Sequence, residues 1–497
     1  MQSVSEPQEH RLNRISAIAF YGTALVVAWS PIPLGSNRTS AIALLLALQL
    51  PLLLLGLVSL GGPARALSTL RQRLGPARWI LLAWTALLAL QAGQVLRGPA
   101  GLLGESGLPL GSLDAHQSLL MLLCSIVYLA VFVCLVVLGQ ASDRLRNALR
   151  IWLAAGVLQA LLAIVLWSLR AQYTFMDMSI HHGVRAIGTY VSPNNLAGYL
   201  YLALAVGMAL MLDALLRQPP GAPLRRWQDV LAAALKFLLS PRMIIRLLLL
   251  LMVIALVMTR SRMGNTAFMV ALGVAGVLCA WRFAAWRRSA LILTASLVLV
   301  DVVVIGQWVG VEQLIDRIEA TTISREVAAG ESGMAGAVVT SGNTLEDRTE
   351  PGRYTVDMIR VRPWFGTGAG TYYTAFPPWK PTTVVSYFDH AHNDYAEIAA
   401  DMGVVGLGLI GVIVLGSTIQ AFRLLVWGRS RFGQAMSVGA LMAIVAVVVH
   451  STVDFNLYIP ANVLMLLALL ATLWACRLIP ASSSASVSVK HLDTTTS

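Results

Sequence analysis

The chain has 497 residues, of which 57% are hydrophobic and only 12% charged, and its mean hydropathy is +0.72. Soluble domains carry about a quarter charged residues, so this chain has too few to coat its apolar segments in water, and a soluble globular reading is excluded. A formal net charge of +12 would point to nucleic acid if the basic residues formed a stripe interleaved with aromatics; they sit instead in short connections between apolar runs, and no nucleic-acid partner is implied.

Twelve apolar runs of roughly 16 to 22 residues are long enough to span a bilayer. They begin near Ile15, Ala41, Trp79, Leu119, Ile151, Gly198, Ile244, Asn265, Ala290, Val404, Ala435 and Asn462. The expected fold class is an all-α polytopic integral membrane protein of about 12 transmembrane helices, with one large extracytoplasmic loop between helices 9 and 10. Helices 1–9 fall within residues 1–309, the loop within 310–402, helices 10–12 within 403–480, and a Ser/Thr-rich cytoplasmic tail, expected to be disordered, within 481–497.

An even number of spans puts both termini on one side. With both inside, the cytoplasmic connections collect Arg65, Arg71, Arg73 and Arg78, then Arg144, Arg146 and Arg150, and later Arg282, Arg287, Arg288, Arg423, Arg429 and Arg431. The alternate short loops hold few basic residues, so the positive-inside rule sets the N- and C-termini in the cytoplasm. Arg11 and Arg14 precede the first run as in a signal sequence, but the runs that follow favour an uncleaved first helix. Cys124, Cys134, Cys279 and Cys476 all lie in apolar runs without metal-type spacing and read as small packing residues.

Polar residues that break the membrane pattern gather in the extracytoplasmic segments. After the fifth helix, His181 to Leu200 carries Arg185, a cation on the side where the chain otherwise avoids them, and Asn194 at the start of the sixth helix. Ser192 reads as an N-cap and Pro193 as a first helical residue. Thr259 to Gly264 is so short a connection that Arg260 and Arg262 must sit at the membrane boundary, where arginine either snorkels or meets an anion. Arg185 and Arg262, from separate loops, suit a phosphate-bearing lipid, because guanidinium offers paired hydrogen bonds and stays charged.

On the cytoplasmic side, Leu224 to Arg246 mixes Trp and Leu with basic residues and reads as interfacial. In the long loop, Thr321 to Glu350 is Gly-, Ser- and Thr-rich and reads as flexible. Pro351 to Gly370 reads as an amphipathic helix stopped by Arg362-Pro363 and a glycine-rich turn. The loop ends with His390, His392, Asn393 and Asp394, where Asn393 or Asp394 can cap a short helix terminated by Gly403. His-x-His permits a metal, but spacing fixes no third ligand, and no metal is assigned. His450 and Asp454, four residues apart, read as an imidazole-carboxylate pair on one helix side, in the first instance a structural one. Asp301 is an intramembrane acid without motif context and is left out of the site.

Four motifs in this order, R-x-x-G-x-x-x-x-P-N at Arg185 to Asn194, S-R-x-G at Ser261 to Gly264, R-P-x-x-G-x-G at Arg362 to Gly368 and H-N-x9-G-x-x-G at His392 to Gly406, resemble the bacterial O-antigen ligase and Wzy-type polymerase superfamily. The resemblance spans helices five to eleven and the long loop; the first four helices match only in character. It implies a metal-independent glycosyltransferase of the bacterial inner (cytoplasmic) membrane, needing no cofactor, with a periplasmic active site. Its donor would be a glycan linked to undecaprenyl diphosphate and its acceptor lipid A-core or another glycan, with membrane lipids around it. By that resemblance His392 is the general base, Arg185, Arg260 and Arg262 bind the diphosphate, and His390, Asn393, Asn194, His450 and Asp454 support them.

Trp364, Tyr372, Tyr373 and Trp379 offer stacking surfaces for sugars, although a loop core or an interfacial belt explains them more simply. Because His392 opens the histidine motif associated with ligases, an O-antigen ligase is the favoured reading and a Wzy-type O-antigen or exopolysaccharide polymerase the alternative. A transporter or flippase is the reading from another class, but transporters place their sites near the midplane on broken helices, whereas here the polar residues crowd one face.

Overall fold

The computed structural model describes residues 6–97, 110–217, 241–289, 291–299, 303, 354–380 and 388–479. The expectations for Thr321 to Glu350, for the tail 481–497, for Asp301 and for residues 224–240 of the interfacial segment Leu224 to Arg246 lie outside these residues, as does the loop over 310–353.

The architecture is helical: α1 (Glu6–Trp29), α2 (Thr39–Val58), α3 (Pro63–Leu74), α4 (Arg78–Leu96), α5 (Ala115–Leu138), α6 (Ser142–Ser168), α7 (Pro193–Leu216), α8 (Pro241–Met258), α9 (Arg262–Arg282), α10 (Asp394–Trp427), α11 (Arg431–His450) and α12 (Pro460–Cys476). Among the described residues, nine helices are long and apolar enough to cross a membrane. Residues 291–299 are also helical, where the ninth run was expected. A lipid interior supplies no hydrogen bonds to the backbone, so apolar segments of this length close their own.

The centre of the bundle is α7, buried along nearly its whole length and packed against α6, α8, α11 and α12. Small residues let the helices approach closely. A Cβ on Gly156 of α6 would stand 2.4 Å from Ala203, and one on Gly439 of α11 would stand 2.7 Å from Ala209. By contrast α2 leaves Leu44, Leu48, Leu54, Leu55 and Val58 exposed, as a lipid-facing helix does. At the end of α7 remote from Asn194, buried Asp213 pairs with Arg146 at 3.0 Å and with Arg217, tying α6 to the end of α7.

Two elements had no counterpart in the sequence reading. The stretch holding Arg65, Arg71 and Arg73 was a plain loop there, but it forms the helix α3, with Ala66, Leu70 and Leu74 packed on the core one turn apart. A two-stranded antiparallel hairpin, β1 (Gln172–Phe175) with β2 (Met178–His181), precedes α7. Its turn puts Met176 and Asp177 at positive φ, a conformation usually announced by Asn-Gly or Asp-Gly, so sequence gave no signal.

Candidate functional site

Three of the predicted polar segments are each set by a local cap. Ser192 Oγ accepts from the Asn194 amide at 3.3 Å and starts α7. Ser261 Oγ accepts from Gly264 N at 3.2 Å and starts α9. Asn393 Oδ1 accepts from Ala396 N at 3.0 Å and starts α10, leaving Glu397 in its first turn. These bonds satisfy amides that have no partner within their own helix.

On the arginine side, Arg185 Nε donates to the Thr259 carbonyl at 2.9 Å and Nη2 to Asn194 Oδ1 at 2.8 Å, while the Arg260 carbonyl lies 3.5 Å from the same Nη2. Arg185 therefore ties the loop before α7, the first turn of α7 and the α8–α9 turn into one unit. Arg260 occupies that turn at positive φ, partly buried. Arg262 is the exposed first residue of α9, and among the described residues its guanidinium makes no hydrogen bond or ion pair. The glycine of S-R-x-G has a packing reason: a Cβ on Gly264 would stand 2.7 Å from Ala197 Cβ, so its absence lets α9 start beside α7.

On the histidine side, His392 is half-buried at positive φ, with its ring edge-on to Phe455 at 5.2 Å between centroids. His390 stacks flat on the same Phe455 at 3.9 Å. Its Nδ1 lies 2.6 Å from Glu397 Oε1, and Glu397 Oε2 accepts from Ala391 N at 2.8 Å. Burial works to lower the His390 pKa, but the charge and hydrogen bond of buried Glu397, helped by Asp389 and Asp401, raise it to about 9. His390 is thus held by a carboxylate, and it orders the segment that presents His392. Asn393 adds a bond from Nδ2 to the Thr452 carbonyl at 3.0 Å.

His450 and Asp454 do pair, with Nε2 and Oδ2 3.5 Å apart and both side chains fully buried. The expected reason was wrong: α11 stops at His450, so the pair closes across the following turn and not along a helix face. The proton positions follow from one backbone acceptor. Asn462 Nδ2 donates to the Asn195 carbonyl and to Asn456 Oδ1, both at 3.0 Å, and Asn462 Oδ1 accepts from Tyr190 at 3.2 Å. Asn456 must then present Nδ2 to His450 Nδ1 at 3.0 Å, which leaves the His450 proton on Nε2, toward Asp454. Burial alone would raise Asp454; the His450 ring, the Phe455 amide and His392 hold it below the ordinary carboxylate value. Hydrogen bonds through Asn462 and Asn456 thus link the first turn of α7 to His450, whose ring lies 3.5 Å from the Asp454 carboxylate.

The two glycine motifs interlock. α10 breaks at Gly403, whose φ is +67°, and the amides beyond it find acceptors in the other motif: Val404 N donates to Pro363 O at 2.8 Å and Val405 N to Trp364 O at 3.3 Å. In return Thr367 N donates to Ala400 O and Gly368 N to Asp401 O, both at 2.9 Å. A Cβ on Gly403 would stand 2.1 Å from Trp364 O, so only glycine fits. Gln94, from α4, completes the joint with bonds to Phe365 O, Asp401 O and Ala369 N. Residues 354–361 are helical and end before Arg362-Pro363 as expected.

Of the aromatics considered for sugars, Tyr372 is buried and stacked on Phe376, Tyr373 donates to Asp114, and Trp379 packs on the same small core. Only Trp364 is well exposed. The sequence reading passed over Asp401, Asn456 and Asn462 and took Asp394 only as a possible cap; all four are buried. The signal that could have found them is charge or amide at positions where an apolar helix is beginning or has just ended.

Residues 247–411 match the family model described as O-antigen ligase. That region includes Arg260, Arg262, His390, His392, Asn393 and both glycine motifs, and leaves Arg185, Asn194, His450 and Asp454 outside it. A comparison with curated proteins gives no match.

Proposed function

We propose that this chain is an O-antigen ligase-like transferase, a reading supported by the match of residues 247–411 to the O-antigen ligase family model. It moves a glycan from undecaprenyl diphosphate to an acceptor such as lipid A-core, at the periplasmic face of the inner membrane. In this reading there are twelve spans with cytoplasmic termini, the loop 310–402 is periplasmic, and no metal or cofactor takes part.

The acceptor hydroxyl oxygen attacks the anomeric carbon of the donor sugar. The bond from that carbon to the diphosphate oxygen breaks, and the hydroxyl proton passes to His392. The charge left on the departing lipid diphosphate is met by Arg262 and, with it, Arg185 and Arg260. Asp454, which feels the charge of His392 as well as that of His450, stabilises the imidazolium that forms. The observation that carries this reading is that the matched residues 247–411 hold both an exposed, uncommitted arginine at the start of α9 and a histidine presented just before the Asn393 cap of α10.

The H-N-x9-G-x-x-G motif favours ligase over polymerase. A chromosomal deletion separates them: loss of a ligase leaves polymerised glycan unattached to lipid A-core, whereas loss of a polymerase leaves single repeat units attached. Normal attachment and normal chain length after deletion would overturn both.

A further inference from the structure

Asp394 is fully buried, immediately after the Asn393 cap and two residues beyond His392. Its Oδ2 accepts the Ser451 hydroxyl at 2.6 Å, and its two oxygens face the Leu457 amide at 3.1 and 3.3 Å. Its own amide donates to the carbonyls of Ser451 at 3.0 Å and Asp454 at 3.1 Å. An acid in a first helical turn needs no such partners, because it is ordinarily solvated there and simply complements the helix dipole. Asn393 already caps this helix. The Asp394 contacts all lie on the turn 451–457, which carries Asp454 and the Phe455 ring between His390 and His392.

We propose that Asp394 is a positioning residue for glycan transfer, a latch that fixes the His392 segment against the 451–457 turn so that the imidazole stays in register with Asp454. The inference rests on the function proposed above. Asp394 touches neither donor nor acceptor; it acts through His392 and Asp454. A displacement of about 1 Å between reacting groups can cost about a hundredfold in rate, and preset geometry depends on neighbours that lock it.

The test is steady-state transfer by the full-length protein in proteoliposomes, with an undecaprenyl-diphosphate-linked glycan and purified lipid A-core. Asp394→Ala is expected to lower kcat about 30- to 100-fold with the donor KM changed by less than about twofold. Asp394→Asn keeps an oxygen for the Leu457 amide and offers its amide to the Ser451 hydroxyl, so kcat should stay within about threefold of wild type. Ser451→Ala removes one bond and should fall between them. Wild-type kcat in Asp394→Ala, or an Asp394→Asn protein as impaired as Asp394→Ala, overturns the latch. Should Asp394→Ala fail to insert, Ser451→Ala decides, and unchanged kcat there overturns it equally. If the wild-type protein transfers no glycan, the proposed function falls, and this role with it.

Discussion

Arg262 and His392 both stand within two residues of a capped helix start, yet their surroundings differ. Arg262 is exposed and, among the described residues, uncommitted. The histidine segment is held at almost every step: by Glu397 on His390 and Ala391, by Asn393 on Thr452 and by Asp394 on the 451–457 turn. The difference fits the two tasks. A cation that meets a leaving diphosphate must release one lipid and take another, whereas a base has to be in place before the acceptor arrives.

The largest expected effect breaks the ordered side. His392→Ala should lower transfer about 10²- to 10⁴-fold while the protein still binds the lipid-linked donor, as checked by equilibrium binding of a labelled donor. On the open side, Arg262→Ala should cost about 10²- to 10³-fold in kcat/KM. Arg262→Lys should recover only part of it, since an ammonium lacks the paired donors of guanidinium. Asn194→Ala removes one anchor of Arg185 and should cost about tenfold, in line with the loss of one hydrogen bond to a charged group; equal kinetics in mutant and wild type would show that Arg185 needs no positioning.

The smallest effect is on stability. The pKa of His390, raised to about 9 by Glu397 against the effect of burial, lies above its unfolded value of about 6.5. Its contribution, on the order of 3 kcal/mol, is fully present below about pH 6.5 and is lost as pH rises through about 9. The thermal midpoint of the wild type should therefore fall between pH 7 and pH 10. In Glu397→Gln it should start lower and lose this slope; a parallel fall in both proteins would place the pH dependence elsewhere.

How much was legible follows the reach of each interaction. The caps at Ser192 and Asn393 act over two or three residues, and the Gly403 stop is a local backbone property, so these could be read directly; the equally local Ser261 cap was not read. The stop of α11 at His450 was misread because nothing local forbids another turn; the chain leaves the helix to bring Asp454, Asn456 and Tyr458 under α7 and α10. Asn462 was missed because its partners Tyr190 and Asn195 are more than 260 residues away. Gln94 reads as an ordinary polar residue in an apolar run, and only the fold brings it to Phe365 and Asp401.

The most direct test is transfer of a radiolabelled glycan from undecaprenyl diphosphate to lipid A-core by purified protein in proteoliposomes, run in parallel with His392→Ala and Arg262→Ala. The expected result is acceptor-dependent labelling of lipid A-core by the wild type and loss of that labelling in both variants. Full transfer by His392→Ala would contradict the assignment of the base, and no transfer by a correctly inserted wild-type protein would contradict the ligase itself.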